Sequence, residues 1–107
     1  MAWWIQRASG SGHPKGGLSL SRFTLGRLLA TQGALEAING ASFWPYIKRH
    51  ASGDWGDIST EDQAENELSL KHGFRLFSVY TLPEGGCIWI IMEADRSATT
   101  ILTPEEY

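Results

Sequence analysis

Cysteine is nearly absent from this chain. Cys87 stands alone among 107 residues, so no disulfide can close within it, which suits a reducing compartment. The run around it, "CIWIIM", makes a small buried hydrophobe the ordinary reading and a reactive thiol the rarer one. Positive charge is also scarce: nine Lys and Arg face twelve Asp and Glu, for a net charge of −3. Binding to phosphate backbones draws on concentrated cations, so this balance argues against a nucleic-acid partner. No apolar run reaches the roughly 18 residues that a membrane-spanning helix requires. The opening "MAWWIQRASGSGHPKGG" has no continuous apolar stretch of the kind that marks a secretory leader. These absences lead to the expectation of a cytoplasmic domain without membrane partners. Repeats are missing too, and low complexity is confined to a short Gly/Ser-rich segment.

What is present suits one globular domain: 42% hydrophobic and 20% charged residues lie near the averages for soluble folds. Composition breaks near residue 17. Within "RASGSGHPKGG", Gly, Ser and Pro dominate, as in linkers, so residues 1–17 read as a flexible extension or an extra N-terminal strand. Trp3 and Trp4 would then dock on the body or mark a contact. Residues 18–107 form the domain proper. In "LSLSRFTLGRLLA" the pattern suggests a strand followed by a turn at Gly26.

Three short helices are predicted, over about 32–39, 44–51 and 61–72. Thr31 is the N-cap and Gly40 the stop of the first, with Leu35 and Ile38 on one face. Pro45 opens the second, with Tyr46 and Ile47 turned inward, and Lys48, Arg49 and His50 close it as cations at its negative end. The third has Thr60 and Gln63 in capping-box spacing, Glu61, Asp62 and Glu65 near its positive end, and Lys71 and His72 before Gly73. Ala64, Leu68 and the stem of Lys71 form its expected inner stripe.

Three strands are predicted next, over about 74–82, 87–94 and 98–103. "PEGG" and "DRS" supply the turns of a β-meander. Leu76, Ser78, Tyr80 and Leu82 share one face of the first strand. The middle strand carries Ile88, Ile90 and Met92 opposite Cys87, Trp89 and Ile91, so both of its sides should be covered. The expected architecture is α+β, an antiparallel sheet packed by short N-terminal helices.

The stretch "RHASGDWGDISTEDQAENE" holds the densest chemistry. Asp54, Asp57, Glu61, Asp62 and Glu65 offer oxygens for a hard cation, but their spacing departs from calcium-loop patterns. Trp55 between Gly53 and Gly56 reads as a plug at a tight corner, with the aspartates satisfying backbone N–H groups. No metal or cofactor is therefore assigned. A second set, His50, Arg75, Tyr80, Arg96 and Tyr107, contains the base and cation types that a ribonuclease needs. A third grouping would bring Glu93, Arg96 and Tyr107 into one pocket with Arg49 or His50. Its alternative is a hairpin tip with a weak Asp95–Arg96 ion pair.

"LGRLLATQGALEAI", "RHASGDWGD", "EDQAENELSLKHGFRLFSVYTL" and "IWIIMEADRSATTILTPEEY" together resemble a family of small bacterial plasmid-related, mobile-element proteins. Some of these carry the label type I restriction endonuclease subunit M. The resemblance spans residues 23–107, and departs from the family pattern at Gln32, where Pro is usual, and at Met92, where Thr is. It implies a mobile-element setting and transfers no catalytic residue. The leading expectation is a non-catalytic protein-binding or regulatory module that contacts a host or element-encoded protein. Its candidate binding residues are Trp55, Asp54, Asp57, Glu61, Asp62, Glu65 and Arg96, and a homodimer is compatible with it. Two alternatives stand beside it, a toxin-like ribonuclease acting on mRNA and a DNA-binding regulator.

Overall fold

Thr31 does two jobs at once. It is the last residue of a strand, and its hydroxyl accepts the Ala34 N–H that starts the first helix. The strand's pleat thereby passes directly into a helical turn, with no loop between them. In this computed structural model, which describes the backbone of residues 5–7 and the whole of residues 21–107, the elements run β1 (Ile5–Arg7), β2 (Arg27–Thr31), α1 (Gln32–Ile38), α2 (Trp44–Ser52), α3 (Thr60–His72), β3 (Leu76–Thr81), β4 (Cys87–Met92) and β5 (Ala98–Leu102). A 3-10 turn, Pro104–Glu106, follows. A three-residue strand, Ile5–Arg7, falls within the 1–17 segment that reads as either a flexible extension or an extra strand. Trp3, Trp4 and the remainder of the 1–17 segment lie outside the described residues.

The class is α+β, and the C-terminal half is the expected meander. β3 pairs antiparallel with β4, and β4 with β5. The sheet as a whole is mixed, in the order β1-β2-β5-β4-β3, because β2 lies parallel to β5. A purely antiparallel sheet was the expectation. The helices and the β3–β4 hairpin intervene between β2 and β5, and no local pattern specifies such a long-range parallel pairing. The N-terminal strand also falls after Gly26, not before it. Gly26 adopts φ 65°, and a Cβ there would press within 2.5 Å of the Arg96 and Ser97 carbonyl oxygens. That close approach is what lets Arg27 N–H reach Ser97 O and begin the parallel pairing.

One face of the sheet carries the core. Leu76, Ser78 and Tyr80 of β3, Ile88, Ile90 and Met92 of β4, and Thr99 and Ile101 of β5 are fully buried. Against them pack Ala34 and Ile38 of α1, then Phe43 and Ile47 at the start of α2. A second, smaller cluster holds Trp55, Leu76 and Met92, edged by Phe23, Leu25, Ile58 and Leu70. On the opposite face Trp89 meets the edge of Phe77, with ring centroids 5.0 Å apart, and packs against Tyr107 at 5.3 Å. Both sides of β4 are therefore covered at least in part, as the apolar character of both its faces implies.

Helix ends differ from the sequence reading by single residues. Asn39 takes the left-handed C-cap position of α1, one residue before Gly40. Ser59 caps α3 by accepting Asp62 N–H at 3.0 Å, so the Thr60–Gln63 capping box does not form. The larger correction concerns the face of α3. Its inward residues are Asn66, Ser69 and, in part, Leu70, whereas Ala64, Leu68 and Lys71 point to solvent. The C-terminus is fastened to α1 through Glu106. Its carboxylate accepts from Thr31 Oγ1 at 2.5 Å, Thr103 N at 2.9 Å, Gly33 N at 3.0 Å and Thr103 Oγ1 at 3.0 Å.

Candidate functional site

β3 ends the sheet, so the backbone groups of Phe77, Val79 and Thr81 that face away from β4 lack a neighbouring strand. Exposed edges of this kind recruit other chains. The stretch from Asp54 to Asn66 covers this one. Trp55 O accepts Val79 N–H at 3.1 Å, and Asp57 N–H donates to Val79 O at 2.7 Å. The Asp57 carboxylate accepts from Thr81 N at 3.1 Å and from the Thr81 hydroxyl at 2.6 Å. Further along, the Asn66 amide donates to Phe77 O at 2.7 Å and accepts Phe77 N–H at 3.1 Å, as a partner strand would. Gly56 forms a one-residue parallel bridge with Val79, and a Cβ there would overlap the Val79 carbonyl oxygen. Only glycine permits so close a crossing at its φ of 78°.

Trp55 is the plug that the sequence suggests. It is 4% exposed and stacks on Phe23 with ring centroids 6.2 Å apart. Its indole N–H donates to Glu67 at 3.1 Å. Arg22 grips the same carboxylate with two bonds of 2.9 and 3.0 Å. Those two donors, Arg22 first, hold the Glu67 carboxyl below its usual range. Asp54 is likewise held low, chiefly by two hydrogen bonds from Arg49, whose guanidinium lies 4.6 Å from the centre of the Tyr80 ring. Asp57 is lowered by its bonds from Thr81. Asp54 and Asp57 are thus engaged within the fold. Among the described residues no three His, Cys, Asp or Glu side chains gather as metal ligands would.

The ribonuclease-type set is dispersed. His50 lies wholly inside, its Nδ1 sharing a 2.6 Å hydrogen bond with the Ser78 hydroxyl. The rings of Phe23 and Trp55 pack edgewise against it, with centroids at 5.4 and 5.6 Å. Burial, with a smaller contribution from Arg96, pulls its pKa down to about 3. His50 is therefore a neutral core residue and not the helix-end cation expected. Its Nε2 has no hydrogen-bond partner among the described residues. Tyr80 is buried too, its phenol donating to Asp54 O at 2.6 Å. Arg96 acts as a clamp, donating to Phe74 O at 2.6 Å, Ser69 O at 3.0 Å and Glu93 O at 3.2 Å. Asp95 caps Ser97 N–H, so the hairpin tip has no Asp95–Arg96 ion pair. Arg75 is exposed on the approach to β3. Tyr107 packs on Trp89, across the sheet from His50, so the pocket that would join them does not form.

The outer face of α3 is open to solvent, as is Tyr107 on the other side of the sheet. Glu61 and Glu65 are exposed on that helix face, and Asp62 is exposed at the first turn above the Asn66–Ser69 side. Beside them Leu68 is 50% exposed and Phe74, just beyond the Gly73 cap, is 59% exposed. The helix can turn these groups outward because polar contacts hold its inner side: Asn66 to β3, Glu67 to Trp55 and Arg22, and Arg96 to the last turn. Sequence reasoning picked out the acids but not the anchoring roles of Asn66 and Glu67 or the exposure of Phe74, and it turned Leu68 inward. The available signal was negative: 13 residues of helix with too few large apolar side chains to make a buried stripe. No known protein-family model matches the chain, and neither a curated protein nor a solved structure matches it. Among the described residues no helix is long and apolar enough to cross a membrane.

Proposed function

We propose that this chain is a non-catalytic protein-binding module of a mobile genetic element, acting in the cytoplasm on a host or element-encoded protein through the outer face of α3. The observation that carries this reading is the exposure of Leu68 and Phe74 next to Glu61, Asp62 and Glu65. Large apolar side chains bordered by charge are what recognition surfaces use. The internal employment of the other candidates supports it. Trp55, Asp54, Asp57 and Arg96 hold the corner and the sheet edge, while His50 and Tyr80 sit in the core, closed to a substrate.

The test is affinity purification of a tagged copy from its native host, compared with Leu68→Asp and with the triple variant Glu61→Ala/Asp62→Ala/Glu65→Ala. All these positions are exposed. The triple variant gives up the first-turn acids that favour the helix dipole, at about 0.3–1 kcal/mol each, so the comparison is made well below every variant's melting transition. Specific partners should be depleted several-fold by either variant. Retention of every partner at parental yield by both variants would refute the reading.

A further inference from the structure

The charges along α3 are ordered. Glu61 and Glu65 occupy its first half, and Lys71 and Arg75 lie in its last turn and just past it. None of the four has an ion-pair partner among the described residues, where the pairs are Arg22–Glu67 and Arg49–Asp54. The helix dipole accounts for acids in the first turn and bases in the last. It does not account for Glu65 in mid-helix, nor for the exposure of Leu68 and Phe74.

The mid-helix Glu65 and the exposed Leu68 find a reason if the partner is an identical helix. We propose that two copies of this chain associate through α3, antiparallel about a twofold axis that passes beside Leu68, a proposal that rests on the α3 face being the binding surface. Glu65 and Lys71 lie three residues to either side of Leu68, Ala64 and His72 four, and Glu61 and Arg75 seven. Antiparallel packing centred there sets Leu68 against its twin and Glu65 against the other copy's Lys71. The small Ala64 leaves room for His72; Arg75 lies past the Gly73 cap and outside this helical register. A self-complementary patch is the requirement of a twofold interface. Charge also rejects the alternatives. A parallel arrangement opposes Glu65 to Glu65 and Lys71 to Lys71, and an antiparallel one shifted a turn toward the N-terminus brings acids together. A single helix pair buries less than the roughly 1,200 Å² of a standard stable interface. The dimer is accordingly concentration-dependent and is weakened by salt.

Sedimentation velocity over a concentration series tests this, using the parent, Glu65→Lys, Lys71→Glu and Leu68→Asp, each checked for an unchanged melting curve. The parent should show reversible dimerisation, and each variant alone should associate about tenfold more weakly or worse. An equimolar mixture of Glu65→Lys with Lys71→Glu should recover dimerisation as a heterodimer, because each copy then offers at position 65 the charge opposite to its partner's at position 71. A parental dimer indifferent to these changes, or a mixture without recovery, would overturn the proposal. A photocrosslinker at position 68 separates the two readings. A monomeric parent whose crosslinker traps a different protein overturns the dimer and spares the binding face, whereas a monomeric parent that traps nothing overturns both.

Discussion

α2 and α3, helices of 9 and 13 residues, lie at the same sheet, yet they are held there by different forces. The start of α2 places Phe43 and Ile47 into an apolar cluster with Tyr80, Leu82, Ile88 and Ile90. Its attachment is the ordinary hydrophobic one, proportional to area removed from water. α3 buries Asn66 and Ser69 and is secured by directed bonds to the β3 edge, to Trp55 and Arg22, and to Arg96. An apolar contact tolerates some sliding. A pair of bonds between one amide and one peptide group does not. The contrast shows how a helix can be fixed in register while leaving its own apolar side chains for another molecule.

The sharpest way to separate the two halves is to delete one anchor from each. Ile47→Ala removes a fully buried side chain from a packed cluster and should lower unfolding free energy by about 2–5 kcal/mol, seen as an earlier midpoint in urea. Should Ile47→Ala cost less than a change on the α3 side, the apolar half would not be the dominant one. Asn66→Leu adds apolar surface to α3 but strands the N–H and C=O of Phe77. Its expected cost is about 1–3 kcal/mol, together with concentration-dependent light scattering from the uncovered β3 edge. A neutral or stabilising outcome would show that α3 is held by burial after all.

His50 marks where the halves meet, since it stands on α2 and packs against Trp55. Folding moves its pKa from 6.5 to about 3, so the unfolded chain binds a proton that the folded one refuses. The contribution of the neutral imidazole is complete above pH 6.5 and is lost as pH falls toward 3, at up to about 1.4 kcal/mol per pH unit. Between pH 6.5 and about 5.5, before the carboxylates titrate, the parent should lose stability while His50→Leu shows a flatter line. Parallel lines for the two proteins would mean that the imidazole takes up its proton as readily in the fold as in the unfolded chain.

Much of this molecule can be read locally. The Thr31 cap, Pro45 at the head of α2, Gly73 as the end of α3, and the alternation in β3 and β4 all act within a few residues, and all are found where the local pattern puts them. The Ala64–Leu68–Lys71 stripe fails as a guide because spacing reveals that side chains share a face, not which way that face turns. Its direction is settled by Asn66 and Glu67, whose partners lie on β3, at Trp55 and at Arg22. His50 misleads in the same way, since a basic residue in a last turn reads as a solvated cation until Phe23, Trp55 and Ser78 close around it.

Composition and local pattern were sufficient for the α+β class, the boundaries of the three helices and of β3 to β5 to within a few residues, and the role of Trp55 as a plug, because caps, turns and alternation depend on neighbours along the chain. The parallel pairing of β2 with β5, the covered edge of β3, the neutral interior His50 and the outward face of α3 depend on residues far apart in sequence. Contacts of that kind are specified only when the whole chain closes on itself, and they decide which of its polar groups are consumed by the fold and which are left for a partner.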